Sequence, residues 1–196
     1  MPTTHHTTRD HIIDVGLHFM HSAGYTAAGV KQILALAHVP KGSFYHYFPS
    51  KEAFTEEVLT RYGTLEINRL DGFLRNRKVA PLKRLRNYFE ALAVFYEQNH
   101  LASGCLLGNL SSEIADHSPV LQSVLRGAFH RWQDGICSIL AEAVEHGDLP
   151  KSSKPDELAA FLLNGWEGAL VRMRADKSNK PLYNFIHYAF DVLLRK

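Results

Sequence analysis

The sequence predicts an all-α protein, because apolar residues recur at helical spacing along most of the chain and no stretch alternates as a strand would. Prolines and glycines divide these periodic segments into helices of ordinary length. Three short helices are predicted first, followed by a longer helical region. We therefore expect two domains, residues 1–49 and residues 50–196.

The first two helices are defined by their end signals. Thr7 and Asp10 have the pattern of a capping box at the start of a helix over residues 7–23, and Gly24 ends that helix. Thr26 is placed to cap the second helix, which carries one apolar stripe. A tight turn over residues 37–39 leads into the third helix.

The third helix starts at Pro40 and has barely two turns, so it needs support from the first two. Phe44 and Phe48 lie four residues apart and are assigned to the core. The other side chains can hydrogen-bond a phosphate or a base edge. Helix, helix, short turn, helix is the pattern of a helix-turn-helix motif.

The remaining chain predicts a helical bundle. Ser50 caps a long helix ending near residues 77–78, Pro81 opens the next, a short helix covers residues 104–115, and a long one runs from Pro119 to Gly147. Two final helices follow a polar linker. A basic segment before and after Pro81 is interpreted as a solvated turn; it contains Arg75, Arg77, Lys78, Lys83, Arg84 and Arg86.

The last two helices are expected to join two copies of the chain. Gly165, Gly168 and Ala169 would allow close helix approach, and the final helix carries one apolar edge. That edge consists of Leu182, Ile186, Ala189 and Leu193.

Composition narrows the function class. The 196 residues are 45% hydrophobic and 21% charged, as in ordinary globular proteins, and no apolar run is long enough to span a membrane. The first residues do not resemble a signal peptide, so a cytoplasmic location is expected. Two cysteines do not make a disulfide framework. Up to residue 60, five acidic residues oppose four Lys and Arg residues, so a DNA-binding function depends on the motif rather than on a basic field.

The run from Gly24 to Glu52, with Val39-Pro40-Lys41-Gly42-Ser43-Phe44-Tyr45-His46-Tyr47-Phe48 at its centre, resembles the DNA-binding domain of the tetracycline-repressor (TetR) family. Two later segments, residues 103–110 and 165–169, resemble the branch that holds the acrylate-utilisation regulator and the N-ethylmaleimide-reductase repressor. The resemblance implies an N-terminal helix-turn-helix domain followed by a helical domain for effector binding and dimerisation.

The expected DNA contacts follow from the third helix and its surroundings. Lys51 lies just inside a helix N-terminus, where phosphate binding is favoured. Ser43 and His46 are candidates for base edges, and Gly42 permits close backbone approach. The complete set is Thr26, Lys31, Lys41, Gly42, Ser43, Tyr45, His46, Tyr47 and Lys51.

Cys105 is the candidate sensor. With Ser103 as the cap, Cys105 would lie in the first turn of its helix, where N–H groups favour a thiolate, and Gly104 and Gly108 would leave access to the sulfur. The alternative is that Cys105 is a small buried apolar residue. Cys137 is assigned to packing.

Two tryptophans and two arginines complete the expected ligand or sensor site. Trp132 and Trp166, with Tyr88 and Tyr96, are candidate pocket walls, although aromatic stripes are more often plain core. Arg172 and Arg174 would either anchor a ligand carboxylate or pair with acidic neighbours on the surface, such as Glu167 and Asp176. The site residues are Cys105, Trp132, Trp166, Arg172 and Arg174.

Three function classes remain open. The first is a dimeric repressor that leaves a palindromic double-stranded DNA operator when a small effector, an unsaturated carbonyl or a carboxylate, binds. The second is a thiol enzyme in which Cys105 works with His100 or His117, although no spacing supplies both a base and its orienting partner. The third is a constitutive DNA-binding protein. We expect no catalytic residues, no cofactor and no membrane partner, and no metal site, because His18 and His21 lack further ligands nearby.

Overall fold

The computed structural model describes residues 7–99 and 103–195, and every regular element in these ranges is helical. This agrees with the predicted all-α class. The helices are α1 (Thr8–Ala27), α2 (Val30–Ala37), α3 (Lys41–Tyr47), α4 (Lys51–Leu74), α5 (Pro81–Gln98), α6 (Leu106–Ile114), α7 (Pro119–His146), α8 (Pro155–Asp176), α9 (Lys180–His187) and a C-terminal π-helix (Tyr188–Leu193).

Side-chain caps fix the helix starts that the sequence indicated. The Thr7 hydroxyl accepts a hydrogen bond from the backbone N–H of Asp10 at 3.1 Å, and the Ser50 hydroxyl accepts one from Ala53 at 3.0 Å. Both caps are therefore confirmed. Gly24 has a φ of +82°, a left-handed conformation that interrupts α1 where the sequence predicted its end.

Contacts group the chain into two compact units. Unit 1 comprises the described parts of Met1–Thr64 together with Leu106–Ala128, and unit 2 comprises those of Leu65–Cys105 together with Phe129–Lys196. The division differs from the expected boundary at residue 49, because α6 packs against α1 and so belongs with the N-terminal helices. Two unit boundaries fall within α4 and α7, and the third lies between Cys105 and Leu106, at the start of α6.

The core of unit 1 is built around three phenylalanines. The ring centroids of Phe44 and Phe48 lie 5.3 Å apart, and Phe54 lies 5.3 Å from the first and 4.9 Å from the second. Gly16 allows α1 to approach this group, since a Cβ atom there would lie 2.2 Å from the Phe54 ring. Phe44 and Phe48 are buried, as the sequence predicted.

The core of unit 2 contains a group of packed aromatic rings. The Trp166 ring lies 5.1 Å from Phe89 and 5.5 Å from Phe185, and Tyr88 lies 5.2 Å from Phe89. A Cβ atom on Gly165 would approach the Phe185 ring to 3.0 Å. Gly165 therefore serves the packing of α8 against α9 within one chain.

The residues predicted for the apolar dimerisation edge were wrong. Leu182, Ile186 and Ala189 are buried within the chain, while Leu193 is exposed. The π-helix explains the change: its wider turn rotates Leu193 outward and places Leu194 in the core instead. The large apolar side chains that α8, α9 and the π-helix leave exposed, here called the C-terminal apolar face, are Phe161, Val171, Tyr183, Tyr188, Val192 and Leu193.

The basic segment around Pro81 is not a purely solvated turn. Arg84 is only 2% exposed. Its guanidinium donates hydrogen bonds to the backbone carbonyl of Leu74 and to the Glu142 carboxylate, and Arg77 pairs with the other oxygen of Glu142. Arg84 therefore connects the end of α4, the start of α5 and the end of α7 inside unit 2.

We predict that Glu142→Ala destabilises the protein strongly, because the buried Arg84 guanidinium would lose its charged partner. A buried charge left unpaired costs about 3 kcal/mol or more of the free energy of unfolding. Urea denaturation measures this loss. Glu145→Ala is the matched control, since Glu145 is exposed on the same helix. Equal stability of the two variants would contradict the structural role of Arg84.

Candidate DNA-binding face and buried thiol cluster

Helix α3 packs through its phenylalanines and turns polar side chains outward. Phe44 and Phe48 anchor it in the core of unit 1. Tyr45 is 56% exposed, and Lys41 and His46 are exposed as well. One face of a short helix is thus fixed, and the other is available to a partner.

The smaller residues of α3 leave room for close approach. Gly42 is exposed, and no atom lies within 4 Å of the position that a Cβ would occupy. Ser43 and Tyr47 are half-buried at the sides of the helix. The structure therefore places all six predicted α3 contacts on one continuous element.

Three acidic residues of unit 1 are paired with arginines within the unit. Arg61 donates hydrogen bonds to Asp10 at 2.5 Å and to Asp14 at 3.2 Å, and Arg9 pairs with Glu57. By contrast, Lys31 and Lys41 are exposed and have no ion pair within the described residues. These two lysines thus lie on α2 and α3, although acidic residues outnumber Lys and Arg over residues 1–60 as a whole.

Lys51 has a structural partner that the sequence did not indicate. Its Nζ donates a hydrogen bond to the Tyr25 backbone carbonyl at 2.6 Å and lies 4.1 Å from the centroid of the Tyr25 ring. Partial burial lowers the pKa of Lys51, and the charge of Glu113 acts in the opposite direction. Its ammonium is therefore engaged at the end of α1 as well as being near the start of α4.

Thr26 does not cap α2, which corrects the expectation from the sequence. The cap is Gly29, whose N–H donates to the Gln32 side-chain oxygen at 3.2 Å. Thr26 remains in the last turn of α1, where its backbone N–H donates to Glu113 at 2.5 Å. The left-handed Gly24 shifts the helix boundary, and this shift explains the difference.

Glu113 of α6 is a functional candidate that sequence reasoning missed. Its two carboxylate oxygens accept hydrogen bonds from the backbone N–H groups of Tyr25, at 2.8 Å, and Thr26, at 2.5 Å. Burial alone would raise the pKa of Glu113, but these hydrogen bonds and the charge of Lys51 together lower it. An ionised Glu113 thus holds the end of α1. No local sequence pattern marks it.

Cys105 is more buried than expected. It is 2% exposed, so the flanking glycines do not leave its sulfur open to solvent. It directly precedes α6, which begins at Leu106, and does not lie in the first turn of that helix. Gly104, with a φ of +63°, provides the left-handed turn into this position.

Glu167 of α8 is the polar neighbour of Cys105. The Cys105 thiol hydrogen-bonds to the Glu167 carboxyl group. The Oε1 atom of Glu167 is buried and has no hydrogen-bond partner among the described residues. Burial raises the pKa of Glu167 to about 7, the hydrogen bond from Cys105 opposes this, and the nearby Glu66 adds to it. One of the two alternatives for Arg172 and Arg174, pairing with Glu167 on the surface, is therefore wrong for Glu167.

A second buried carboxylate lies close by. Glu66 is 4% exposed and accepts two hydrogen bonds from Arg69, at 2.7 and 2.9 Å. Burial raises the pKa of Glu66, and the charge of Arg69 opposes this. The Arg69 guanidinium also lies 4.7 Å from the Phe95 ring centroid, so its charge is already engaged.

Tyr88 and Trp132 add two hydrogen-bond donors. Both are buried, and neither the Tyr88 hydroxyl nor the Trp132 indole N–H has a hydrogen-bond partner in the part of the chain that the structure describes. Burial raises the pKa of Tyr88 well above its usual value, the charge of Glu66 adds to this, and the neighbouring Trp132 opposes it. We call Glu66, Tyr88, Cys105, Trp132 and Glu167 the thiol cluster.

Trp166 directly precedes Glu167 of the thiol cluster in the sequence, and it too carries a buried hydrogen-bond donor. Its indole N–H is buried and unpaired within the described ranges. Buried polar atoms in native proteins almost always have partners, so a group of them in one unit points to a site that a ligand or water completes. This is the candidate effector site.

The two arginines predicted for that site do not enter it together. Arg172 is at the surface, with its side chain 68% exposed and its guanidinium 2.8 Å from Asp176. Arg174 is half-buried in the last turn of α8. Arg172 therefore follows the surface-pairing alternative, and the anchoring of a buried carboxylate by Arg172 is not supported.

The histidines of the enzyme alternative have no shown role in the described residues. His117 is exposed, and His100 lies outside the described residues. No group of three or more His, Cys, Asp or Glu side chains in residues 7–99 and 103–195 is arranged to hold a metal ion. Within the same ranges, no helix is long and apolar enough to cross a membrane.

Comparison with known proteins gives matches over both parts of the chain. Residues 12–58 match the family model of bacterial regulatory proteins of the tetR family, and residues 81–189 match the tetracyclin repressor-like C-terminal domain. The HTH-type transcriptional repressor DhaR of Mycobacterium sp. (strain GP1) is 35% identical, over 95% of this chain and 92% of the relative.

Two further relatives are those of the expected branch. The transcriptional regulator AcuR of Cereibacter sphaeroides is 34% identical, over 89% of this chain and 80% of the relative. The crystal structure of the reduced form of Escherichia coli NemR has a TM-score of 0.88 at 30% identity, covering 94% of this chain and 96% of that one. The branch predicted from the sequence motifs is thereby confirmed. The C-terminal domain model alone matches more than half of the chain, residues 81–189. The chain therefore belongs to the tetR family of bacterial regulatory proteins.

Proposed function

We propose that this protein is a transcriptional repressor that binds its operator as a homodimer and leaves it when a small electrophile reacts with Cys105. The single observation that carries the DNA-binding part is α3, which is anchored by Phe44 and Phe48 and presents Lys41, Tyr45 and His46 outward. That is the geometry of a recognition helix in a major groove. Relatives named as transcriptional repressors support the direction of regulation.

Dimerisation is assigned to the C-terminal apolar face. Phe161, Val171 and Tyr188 are each more than half exposed, and large exposed apolar patches usually mark interfaces. A two-fold dimer presents two recognition helices roughly 34 Å apart, one DNA turn, or somewhat more. The operator is therefore approximately palindromic. Binding to DNA is also the reason for placing the protein in the cytoplasm.

The effector site is assigned to the thiol cluster. Cys105 is the thiol of the cluster, and Tyr88, whose hydroxyl has no hydrogen-bond partner among the described residues, lies near it. A carboxylate effector is the weaker alternative, because Arg172 is at the surface while Glu66 and Glu167 are close to the thiol. The related NemR structure is described as a reduced form, which supports thiol chemistry in this branch of the family.

Helix α6 supplies a route from Cys105 to the DNA-binding helices. It begins at the residue after Cys105 and carries Glu113, which holds the backbone of Tyr25 and Thr26. Modification of Cys105 that displaces α6 alters this contact, and with it the position of the recognition helix and of the following α4. The effector need only favour the state with the wrong spacing of the two recognition helices.

Lys41→Ala is predicted to weaken binding to all DNA sequences alike, because Lys41 is exposed and free to contact phosphate. The slope of log affinity against log salt should fall in magnitude by about one. Titration of fluorescent operator DNA at several salt concentrations measures both quantities. Lys151→Ala, at an exposed position in unit 2, is the control. An unchanged salt slope would remove Lys41 from the interface.

Cys105→Ser is predicted to abolish release of operator DNA by N-ethylmaleimide, because the hydroxyl keeps the shape of the thiol but not its reactivity. Gel-shift titration with the electrophile measures the dose response. Cys137→Ser, which changes the other cysteine, should respond as the wild type does. Release of the Cys105→Ser variant with an unchanged dose response would exclude covalent sensing at this residue.

Glu113→Gln is predicted to lower operator affinity without any effector. The amide keeps the size of the side chain but loses the charge that accepts from Tyr25 and Thr26, and such charge-assisted hydrogen bonds contribute about 1.5–3 kcal/mol each. An affinity loss of about tenfold or more is expected from a coupling of this size. Asp116→Asn removes an equal charge from an exposed neighbouring position. Wild-type affinity of Glu113→Gln would break the proposed route.

A further inference from the structure

We propose that Glu167 is the base that takes the proton of Cys105 as its thiol adds to an uncharged α,β-unsaturated carbonyl compound. The inference rests on the proposed role of Cys105 as the sensor and goes beyond it. It assigns the group that makes a buried thiol reactive and the charge of the effector that the site accepts.

The geometry for proton transfer is present before any ligand arrives. The Cys105 thiol already hydrogen-bonds to the Glu167 carboxyl, so donor and acceptor are in contact. Glu167 lies in the middle of α8, where Trp166 packs against Phe89 and Phe185. The base is therefore on a rigid element. Its second oxygen, Oε1, is buried and unpaired within the described residues.

The surroundings make Glu167 a suitable base at neutral pH. Burial first, and then the charge of Glu66 on α4, raise the pKa of Glu167 to about 7. An ordinary carboxylate, with a pKa of about 4.3, would be a far weaker base towards a thiol. Glu66 in turn has two charged or titratable neighbours, Arg69, which pairs with it, and Tyr88 on α5, whose raised pKa keeps it neutral.

A free thiolate is disfavoured in the same place. The Glu167 carboxyl contacts the sulfur, Glu66 lies close enough to Glu167 to raise its pKa, and Arg69 is engaged by Glu66. A like charge opposes ionisation of a buried group. Loss of the proton is therefore expected to occur together with attack on the electrophile, when the negative charge moves away from the sulfur.

The addition balances without an oxidant. Glu167 accepts the proton from the Cys105 sulfur as the S–C bond to the β-carbon forms. The carbon–carbon π electrons move towards the carbonyl oxygen and produce an enolate. The Glu167 carboxyl then returns the proton to the α-carbon, which leaves a thioether and regenerates the carboxylate. Tyr88 interacts with Cys105, and its hydroxyl, which has no hydrogen-bond partner among the described residues, is a donor of the type that stabilises an enolate oxygen.

The same charges select the effector. A carboxylate-bearing electrophile would place a further negative charge beside Glu66 and Glu167, whereas an uncharged carbonyl oxygen would satisfy buried donors. Acrylamide and acrylate have nearly the same shape and differ in charge, so they form a matched pair of probes.

The main experiment follows alkylation of Cys105 by N-ethylmaleimide in the intact protein, with peptide mass spectrometry as the readout and Cys137 as an internal reference. In the wild type, the rate constant should rise as Glu167 ionises near pH 7. In Glu167→Gln it should fall about tenfold or more at neutral pH and then increase with hydroxide concentration. The rate at Cys137 should not change. Glu157→Gln, exposed on the same helix, is the control.

Two outcomes overturn the assignment of the base. Equal or faster alkylation in a folded Glu167→Gln variant would mean that Glu167 only packs against the thiol or repels its charge. If the variant does not fold, the wild-type profile decides, because a rate without an inflection near neutral pH would also exclude Glu167 as the base. Glu167→Asp, which keeps a carboxyl group, should recover part of the rate.

Effector charge is tested with the matched probes. The ratio of the acrylamide rate to the acrylate rate should be about tenfold higher for Cys105 than for the uncharged thiol 2-mercaptoethanol, because a buried like charge is strongly disfavoured. An equal ratio would overturn the preference for uncharged effectors. The sensor role of Cys105 is tested by a different result. If Cys105 is not the sensor, the Cys105→Ser variant still releases DNA on exposure to N-ethylmaleimide.

Discussion

The hydrogen bonds from the backbone of Tyr25 and Thr26 to the Glu113 carboxylate are the contact on which the DNA-binding unit depends most directly. They compensate the N–H groups that the left-handed Gly24 leaves without helical partners. A Cβ at Gly24 would lie 2.7 Å from a Glu113 carboxylate oxygen, and the φ of +82° there also favours glycine. Lys51 adds a third connection through the Tyr25 carbonyl. The end of α1, the start of α4 and α6 are thereby fixed at one point.

The carboxylates of Glu113 and Glu167 have different roles. Glu113 is ionised and fully hydrogen-bonded, so it contributes rigidity. Glu167 has one unpaired oxygen and a pKa near neutrality, so its protonation state is open to change. The first arrangement suits a structural connection, and the second suits chemistry. Cys105, the neighbour of Glu167, precedes Glu113 by eight residues along the chain.

Much of the fold could be predicted because its signals are local. Thr7 and Ser50 cap helices through hydrogen bonds three residues away, and Phe44 and Phe48 share a face by helical spacing. The C-terminal apolar edge could not be predicted, since the π-helix changes the spacing at Leu193 without a marker in the sequence. The outward face of α3 was likewise accessible from the sequence, because two phenylalanines define its inward face.

The buried charges were less predictable, because their roles depend on distant partners. Arg84 was assigned to a solvated turn, yet it contacts Glu142, which lies 58 residues away. Glu113 is 88 residues from Tyr25. Glu167 and Asp176 were both candidate surface partners of Arg172, and only Asp176, one turn later, pairs with it, while Glu167 contacts the thiol. A charge pattern within one helix cannot distinguish these alternatives.

The unpaired donors of the thiol cluster have an energetic consequence for regulation. Each buried polar group without a partner costs about 1–3 kcal/mol, so the free protein is less stable than its aromatic core would otherwise make it. An effector that accepts hydrogen bonds from Tyr88 or Trp132 removes part of that cost only in the modified state. A ligand shifts a conformational equilibrium by the difference between its interactions in the two states. For the sensor role of Cys105 proposed above, relief of these unpaired donors is a source of the free energy that favours the modified state.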